Sequence, residues 1–215
     1  LRPKDVVSGD FYWYHEANGQ HFLAVVDCTG HGVPGAFMSM IGRTLLQEIT
    51  GARGVGEPAQ VLHELHLGIQ QSLGLGGADL RDGMDLALCA LTTVGDQVRV
   101  RFSGARRPLY YFSGDQLHQV RGDRMAIGQT EFDVPFSQHE IWLAPGDTLY
   151  LATDGWADSI NPEREKFGHR YFREMLAEGA YLPLAGQREM FEAMLDDFAQ
   201  GAPQRDDLLL VGVKL

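Results

Sequence analysis

The 215-residue chain carries 29 acidic against 18 basic side chains, a formal net charge of −11, with 44% hydrophobic and 10% aromatic residues. That balance excludes a nucleic-acid surface, which needs clustered Lys and Arg, and suffices for one soluble domain with a substantial core. No apolar run approaches the roughly 20 residues that span a bilayer, the start Leu1-Arg2-Pro3-Lys4 is not a signal peptide, and two cysteines, Cys28 and Cys89, indicate no disulfide framework. A cytoplasmic domain without direct membrane contact is expected. The chain also begins without Met and enters a strand almost at once, which suggests a fragment of a longer protein.

The first predicted element is a hairpin: residues 10–15, a turn through Ala17-Asn18-Gly19-Gln20, and residues 21–27. Beyond a glycine-rich loop, Pro34 stands where a helix would start, and Phe37, Met40, Ile41, Leu45 and Ile49 recur at helical spacing. A second helix fits residues 58–73. Gly74-Leu75-Gly76-Gly77 closes it and opens a flexible connection to Gly83. The middle third reads as short β runs at 84–92, 97–103, 109–113, 117–120, 140–143 and 148–152. Turns at Val94-Gly95-Asp96, Ser113-Gly114-Asp115 and Ala144-Pro145-Gly146-Asp147 separate several of them and predict an antiparallel meander. Helices return at about 169–178 and 185–200, and a last strand covers 208–213. This order predicts a central β-sandwich with helices on its outer faces, an α+β fold. No repeat, low-complexity tract or linker divides the chain, so residues 1–215 read as a single domain.

Four acidic stretches stand at turns: Ser8-Gly9-Asp10, Asp27-Cys28-Thr29-Gly30-His31-Gly32, Thr153-Asp154-Gly155 and Arg205-Asp206-Asp207. At three of them an apolar β run abuts the acid: 22–26 before Asp27, 148–152 before Asp154, and 208–213 after Asp207. Strands that end on carboxylates beside glycine can bring several acids into one small space. Such a cluster stays ionised only when cations neutralise it, and Mg2+ or Mn2+ prefer oxygen ligands. Two such ions about 3.5 to 4 Å apart can activate water for in-line attack on a phosphoryl group. No Gly-x-Ser-x-Gly elbow, Cys-based phosphate loop or Walker sequence offers a different chemistry.

These segments, extended to Val7–Tyr12, Val26–Ala36, residues 151–155 and 206–210, resemble the ordered motifs of the bacterial SpoIIE/RsbU-type branch of the PPM (type 2C-like) protein phosphatases. Ser103-Gly104-Ala105, followed by Pro108-Leu109, is similar to a further family segment. The resemblance implies a four-layer αββα sandwich, two antiparallel sheets flanked by helices, and a metal-dependent phosphoserine/phosphothreonine phosphatase. It makes Asp27 the metal-bridging carboxylate, with the backbone carbonyl of Cys28 as a second ligand. Asp154 and Asp206 correspond to the acids that hold the other of two divalent cations, Mg2+ or Mn2+, and Asp10 to an accessory acid acting through water. His31 could serve as general acid or shape the glycine loop, and the second reading is preferred, because its spacing from Asp27 differs from that in the eukaryotic relatives. Leu209 stands where many relatives carry Thr. The family suggests a phosphorylated regulatory partner, such as an anti-sigma-factor antagonist or similar STAS-domain protein, and a C-terminal catalytic fragment that dimerises through an upstream helix. The alternative is a catalytically silent module that binds a regulatory partner.

The remaining candidates have blander readings. Gly30, Gly32 and Gly35 either aim N–H groups at a phosphate or permit a tight turn. Arg106 and Arg107 could hold a substrate phosphate but read as a solvated surface pair, and Asp85 reads as a strand-end residue. His63 and His66 lie at helical spacing without a third ligand and read as surface or packing residues. Trp13, Trp142 and Trp156 read as core, with Trp156 close enough to the Asp154 loop to line a cleft. A Cys28-centred site has no zinc-type partners.

Overall fold

The apolar runs at 22–26, 86–91 and 148–152 become strands buried on both faces. The computed structural model describes residues 1–30, 32–74, 82–129 and 135–215. In chain order the elements are β1 (Phe11–Ala17), β2 (Gln20–Cys28), α1 (Gly32–Gln47) and, after a π-helical turn at Glu48–Ala52, α2 (Pro58–Ser72). There follow β3 (Met84–Val94), β4 (Gln97–Ala105), β5 (Leu109–Ser113), β6 (Gln116–Val120), β7 (His139–Leu143) and β8 (Thr148–Ala152). The chain closes with α3 (Gly155–Asp158), α4 (Gly168–Gly179), α5 (Leu184–Ala199) and β9 (Leu210–Lys214).

Among the described residues the strands form two antiparallel sheets, ordered β1-β2-β3-β4-β7 and β6-β5-β8-β9. The period-two alternation of strand side chains assigns each residue to a layer. On β3, Leu86, Leu88 and Ala90 face the core beneath α1 and α2, whereas Ala87, Cys89 and Leu91 face the second sheet. On β8, Leu149 and Leu151 meet the first sheet, while Tyr150 and Ala152 join Phe172, Met175, Phe191 and Leu195 of α4 and α5. The Tyr150 hydroxyl, buried in that outer layer, donates to Gln187 at 2.9 Å. Three cores between four layers give the α+β, αββα sandwich expected.

The differences lie in pairing and in faces. The middle strands are not one meander: β4 pairs with β7 and β5 with β8, which splits the run between the two sheets. Phe37 and Met40 do not point inward. The buried side of α1 is Gly35, Met38, Gly42 and Leu46, because glycines let the helix lie close to the sheet, with Gly42 against Met84 and Phe11. Trp13 and Trp156 are buried as expected, but Trp142, near the end of the β7 edge strand, is exposed. The short α3 and the π-helical turn carry no periodicity that a sequence could show. The expected flexible connection from Gly74 to Gly83 falls largely outside the described residues. No helix among those described is long and apolar enough to cross a membrane.

Candidate active site

Each acidic stretch leaves a strand end and is fastened to another by its backbone. Gly9 and Gly35 pack where the loop before β1 crosses the Asp27 loop and the first turn of α1: a Cβ on Gly9 would stand 2.7 Å from the Gly30 carbonyl oxygen, and one on Gly35 would collide with the same atom. That close approach sets Asp10 beside the Asp27 loop. Gly155 does the same elsewhere, since a Cβ there would strike the Asp207 carbonyl. Gly30 and Gly32 adopt φ of +88° and +67°, supporting the tight-turn reading of that loop. His31, between them, lies outside the described residues.

Asp206 and Asp207 are adjacent but do different things. Asp207, only 2% exposed, turns its carboxylate to the backbone and accepts N–H bonds from Lys4 (2.7 Å) and Gly9 (2.9 Å). It thereby ties the Ser8-Gly9-Asp10 segment to the strand-end preceding β9, where Arg2 and Leu208 also exchange backbone bonds at 2.8 and 2.9 Å. Asp206 is exposed; its backbone carbonyl accepts from Gln204 Nε2 at 2.7 Å, and its carboxylate accepts only the N–H of Asp207, at 2.9 Å.

Asp10, Asp27, Asp154 and Asp206 converge on one face, and Asp85 joins them. β2 and β3 place Asp27 directly opposite Asp85, so a residue that reads as a strand end becomes a fifth carboxylate of the cluster. Burial pushes the Asp27 carboxyl up to about 9, with the charges of Asp10, Asp154 and Asp85 adding to it and Arg107 opposing. Asp10 is pushed up to about 7, again by burial, against a hydrogen bond from Thr153 and with the charges of Asp207, Asp206 and Asp154. The Asp85 carboxyl is also raised, chiefly by burial, and so is that of Asp206, an exposed residue whose carboxyl is partly shielded from water beside Asp154 and Asp207. These are the directions expected where like charges are crowded without enough cations.

Among the described residues one basic side chain, Arg107, reaches into the middle of the cluster. The turn between β4 and β5, with Arg106 left-handed at φ +58° and the Arg107 N–H bonded to Ala105 O at 2.7 Å, delivers the Arg107 guanidinium into the cluster. Its Nη2 lies 2.7 Å from Asp154, 2.9 Å from Asp85 and 3.1 Å from Asp27, with the side chain only 12% exposed. Arg107 is therefore not half of a solvated pair. Burial works against its charge, but Asp154, Asp27 and Asp85 outweigh that and hold the guanidinium firmly protonated. Arg106 stays at the rim, half-exposed, donating to Gln129 at 2.8 Å and lying 3.8 Å from Asp85. Consistent with Arg107 standing amid the acids, no three His, Cys, Asp or Glu side chains among the described residues are drawn together at metal-ligating geometry.

The other candidates fall outside this cluster. Cys28 is buried and its thiol is pushed up by burial and by Asp27 and Asp10, which removes it as a nucleophile. His66 is buried, accepts the Gly128 N–H at 3.1 Å and bonds Gln70, and His63 is exposed, so both are packing or surface residues. Trp156 lines a cavity of about 360 Å3 between α5 and the second sheet, away from the acids.

Two helix-flanked antiparallel sheets with carboxylates gathered at the strand ends define the class as a PPM-type phosphatase domain. The model of the family Stage II sporulation protein E (SpoIIE) matches residues 17–215, and the chain belongs to that family. Among solved structures, it is similar to the SiaA-PP2C domain of Pseudomonas aeruginosa at 37% identity and a TM-score of 0.89, covering 100% of this chain and 83% of that one. The RsbU and RsbW domains of Rv1364c from Mycobacterium tuberculosis share the fold at 18% identity and a TM-score of 0.72, covering 98% and 56%. RsbX, solved in complex with magnesium, shares it at 13% identity and 0.59, covering 99% and 90%. No curated protein sequence matches.

Proposed function

We infer that this domain, residues 1–215, is a metal-dependent phosphatase that hydrolyses phosphoserine or phosphothreonine on a regulatory protein. The observation that carries the reading is the convergence of five carboxylates, four of them raised by burial and crowding, around a single guanidinium. The donor set is all oxygen, matches hard divalent cations and lacks the charge to balance itself. Asp27, the backbone carbonyl of Cys28, Asp154 and Asp206 would hold two divalent cations, Mg2+ or Mn2+, with Asp10 as an accessory acid that would act through water. Such ions supply a water of lowered pKa and positive charge for a phosphoryl oxygen. Asp207 and Thr153 hold the ligand loops in register, Asp207 through backbone N–H groups and Thr153 Oγ1 by accepting the Leu209 N–H at 3.3 Å. Membership of the SpoIIE family and the likeness to RsbU-type domains support a phosphoprotein of a partner-switching system, of the STAS-domain kind, as substrate.

The test is hydrolysis of a small aryl phosphate and a phosphoserine peptide in Mn2+ or Mg2+, with chelator and Asp154→Ala as controls. Turnover that requires metal and vanishes in the variant is expected. A catalytically silent partner-binding module draws on one observation, that Arg107 already stands on the acids. That reading predicts no turnover by the wild type on either substrate.

A further inference from the structure

Arg107 is seated in an unusual way for an arginine. Guanidinium groups pair with carboxylates as a fork, two N–H bonds to two oxygens. Here all three contacts, to Asp154, Asp85 and Asp27, run to the single atom Nη2. An Nη2 carries two hydrogens, and hydrogen bonds form to Asp85 and Asp154 while Asp27 at 3.1 Å is held by charge alone. Arg107 Nε is buried with no hydrogen-bond partner. The side chain thus acts as a point cation with three oxygen neighbours and leaves part of its donor capacity unused.

We propose that Arg107 is a displaceable counter-ion: in the metal-free protein its Nη2 occupies the space among Asp27, Asp85 and Asp154, and divalent cations bind only by expelling it. The inference rests on the reading of Asp27 and Asp154 as metal ligands. One positive charge neutralises the cluster incompletely, so a divalent ion gains more from the same oxygens, and the orphaned Nε lowers the cost of leaving. The chain thereby carries a built-in threshold for metal: Arg107 supplies the counter-charge until a divalent ion arrives, and binding is weakened by the contacts that must first break.

Two measurements on the whole domain test this. Calorimetric titration with Mn2+ compares the wild type with Arg107→Gln and Arg107→Lys. The glutamine variant binds at least tenfold more tightly, the lysine variant falls between, and thermal unfolding in chelator shows both less stable than the wild type but restored by Mn2+. Because the glutamine variant could fail to fold without metal, NMR on the wild type supplies the second readout. The Arg107 side-chain N–H resonances, protected from exchange in chelator, shift and lose protection when Mg2+ is added. Equal or weaker Mn2+ binding by Arg107→Gln, or Arg107 resonances unmoved by Mg2+, overturns the inference. If the wild type turns over with metal while Arg107 stays in place, only this inference fails. If metal displaces Arg107 but no phosphate is released, the phosphatase reading fails and this one stands. Absence of Mn2+ binding in every protein overturns both.

Discussion

Replacing Asp207 with Ala separates it from its neighbour Asp206 in a way that can be worked from the geometry. The mutation removes two short bonds from backbone N–H groups to a charged acceptor, at 2.7 and 2.9 Å, one of them from the buried Gly9 N–H, and a long, weak third one from the Asp10 N–H at 3.5 Å. Hydrogen bonds to charged groups contribute about 1.5–3 kcal/mol each. The Lys4 N–H is partly exposed and regains water, and losing the Asp207 charge relieves Asp10, which offsets part of the loss. A net destabilisation of about 3 kcal/mol follows from these terms. For a chain of this size that corresponds to about 6–12 °C in Tm. Asp207→Asn, which keeps one acceptor oxygen, loses roughly half as much. Asp206→Ala removes an exposed carboxylate whose sole hydrogen bond in the structure is from the Asp207 N–H, and changes metal-free stability by less than about 1 kcal/mol. The assay is thermal and urea unfolding in chelator, followed by circular dichroism. An Asp207→Ala protein that melts within 2 °C of the wild type (a margin of about 1 kcal/mol), or an Asp206→Ala protein that falls as far as Asp207→Ala, refutes the division of labour.

Three further outcomes are expected. Gly155→Ala drives a Cβ into the Asp207 carbonyl, so the two loops must separate; a loss of about 1–3 kcal/mol and weaker Mn2+ binding follow, and wild-type values in both unfolding and calorimetry would contradict the close approach. In metal-free protein, Asp10 and Asp27 have folded values of about 7 and about 9 against an ordinary 3.8. The folded state therefore holds protons that the unfolded chain has released, a contribution complete below pH 4 and lost as pH rises through 7 to 9. Tm in chelator falls between pH 5 and 9, Mn2+ binding tightens over the same span with proton release, and a flat Tm with no proton uptake or release in calorimetry counts against it. Asp85→Asn removes a carboxylate from Arg107 while leaving β2–β3 pairing intact; Mn2+ affinity changes in calorimetry with the far-ultraviolet spectrum unaltered, and an unchanged affinity would place Asp85 outside the site.

What the sequence determined by itself is local. Strands buried on both faces, such as β3 and β8, show as uninterrupted apolar runs, and the turn residues bound them closely; the acids at their ends were legible as one cluster because Asp beside Gly at a strand terminus has few structural uses. The tertiary structure decided what depends on distant partners. Which strands share a sheet follows from long-range pairing, and so β4 meets β7 across the intervening β5–β6 hairpin. Asp85 enters the site because register sets it opposite Asp27. Asp206 and Asp207 are the same residue type one position apart, and their roles diverge because the bend before β9 turns Asp207 into the backbone of residues 4–10 and leaves Asp206 beside Asp154. Arg107 gave no signal in one dimension, since a basic pair at a turn is ordinarily solvated. Only the fold shows that the second of the two is enclosed by three carboxylates drawn from different strands and loops, where their field outweighs the cost of burying its charge.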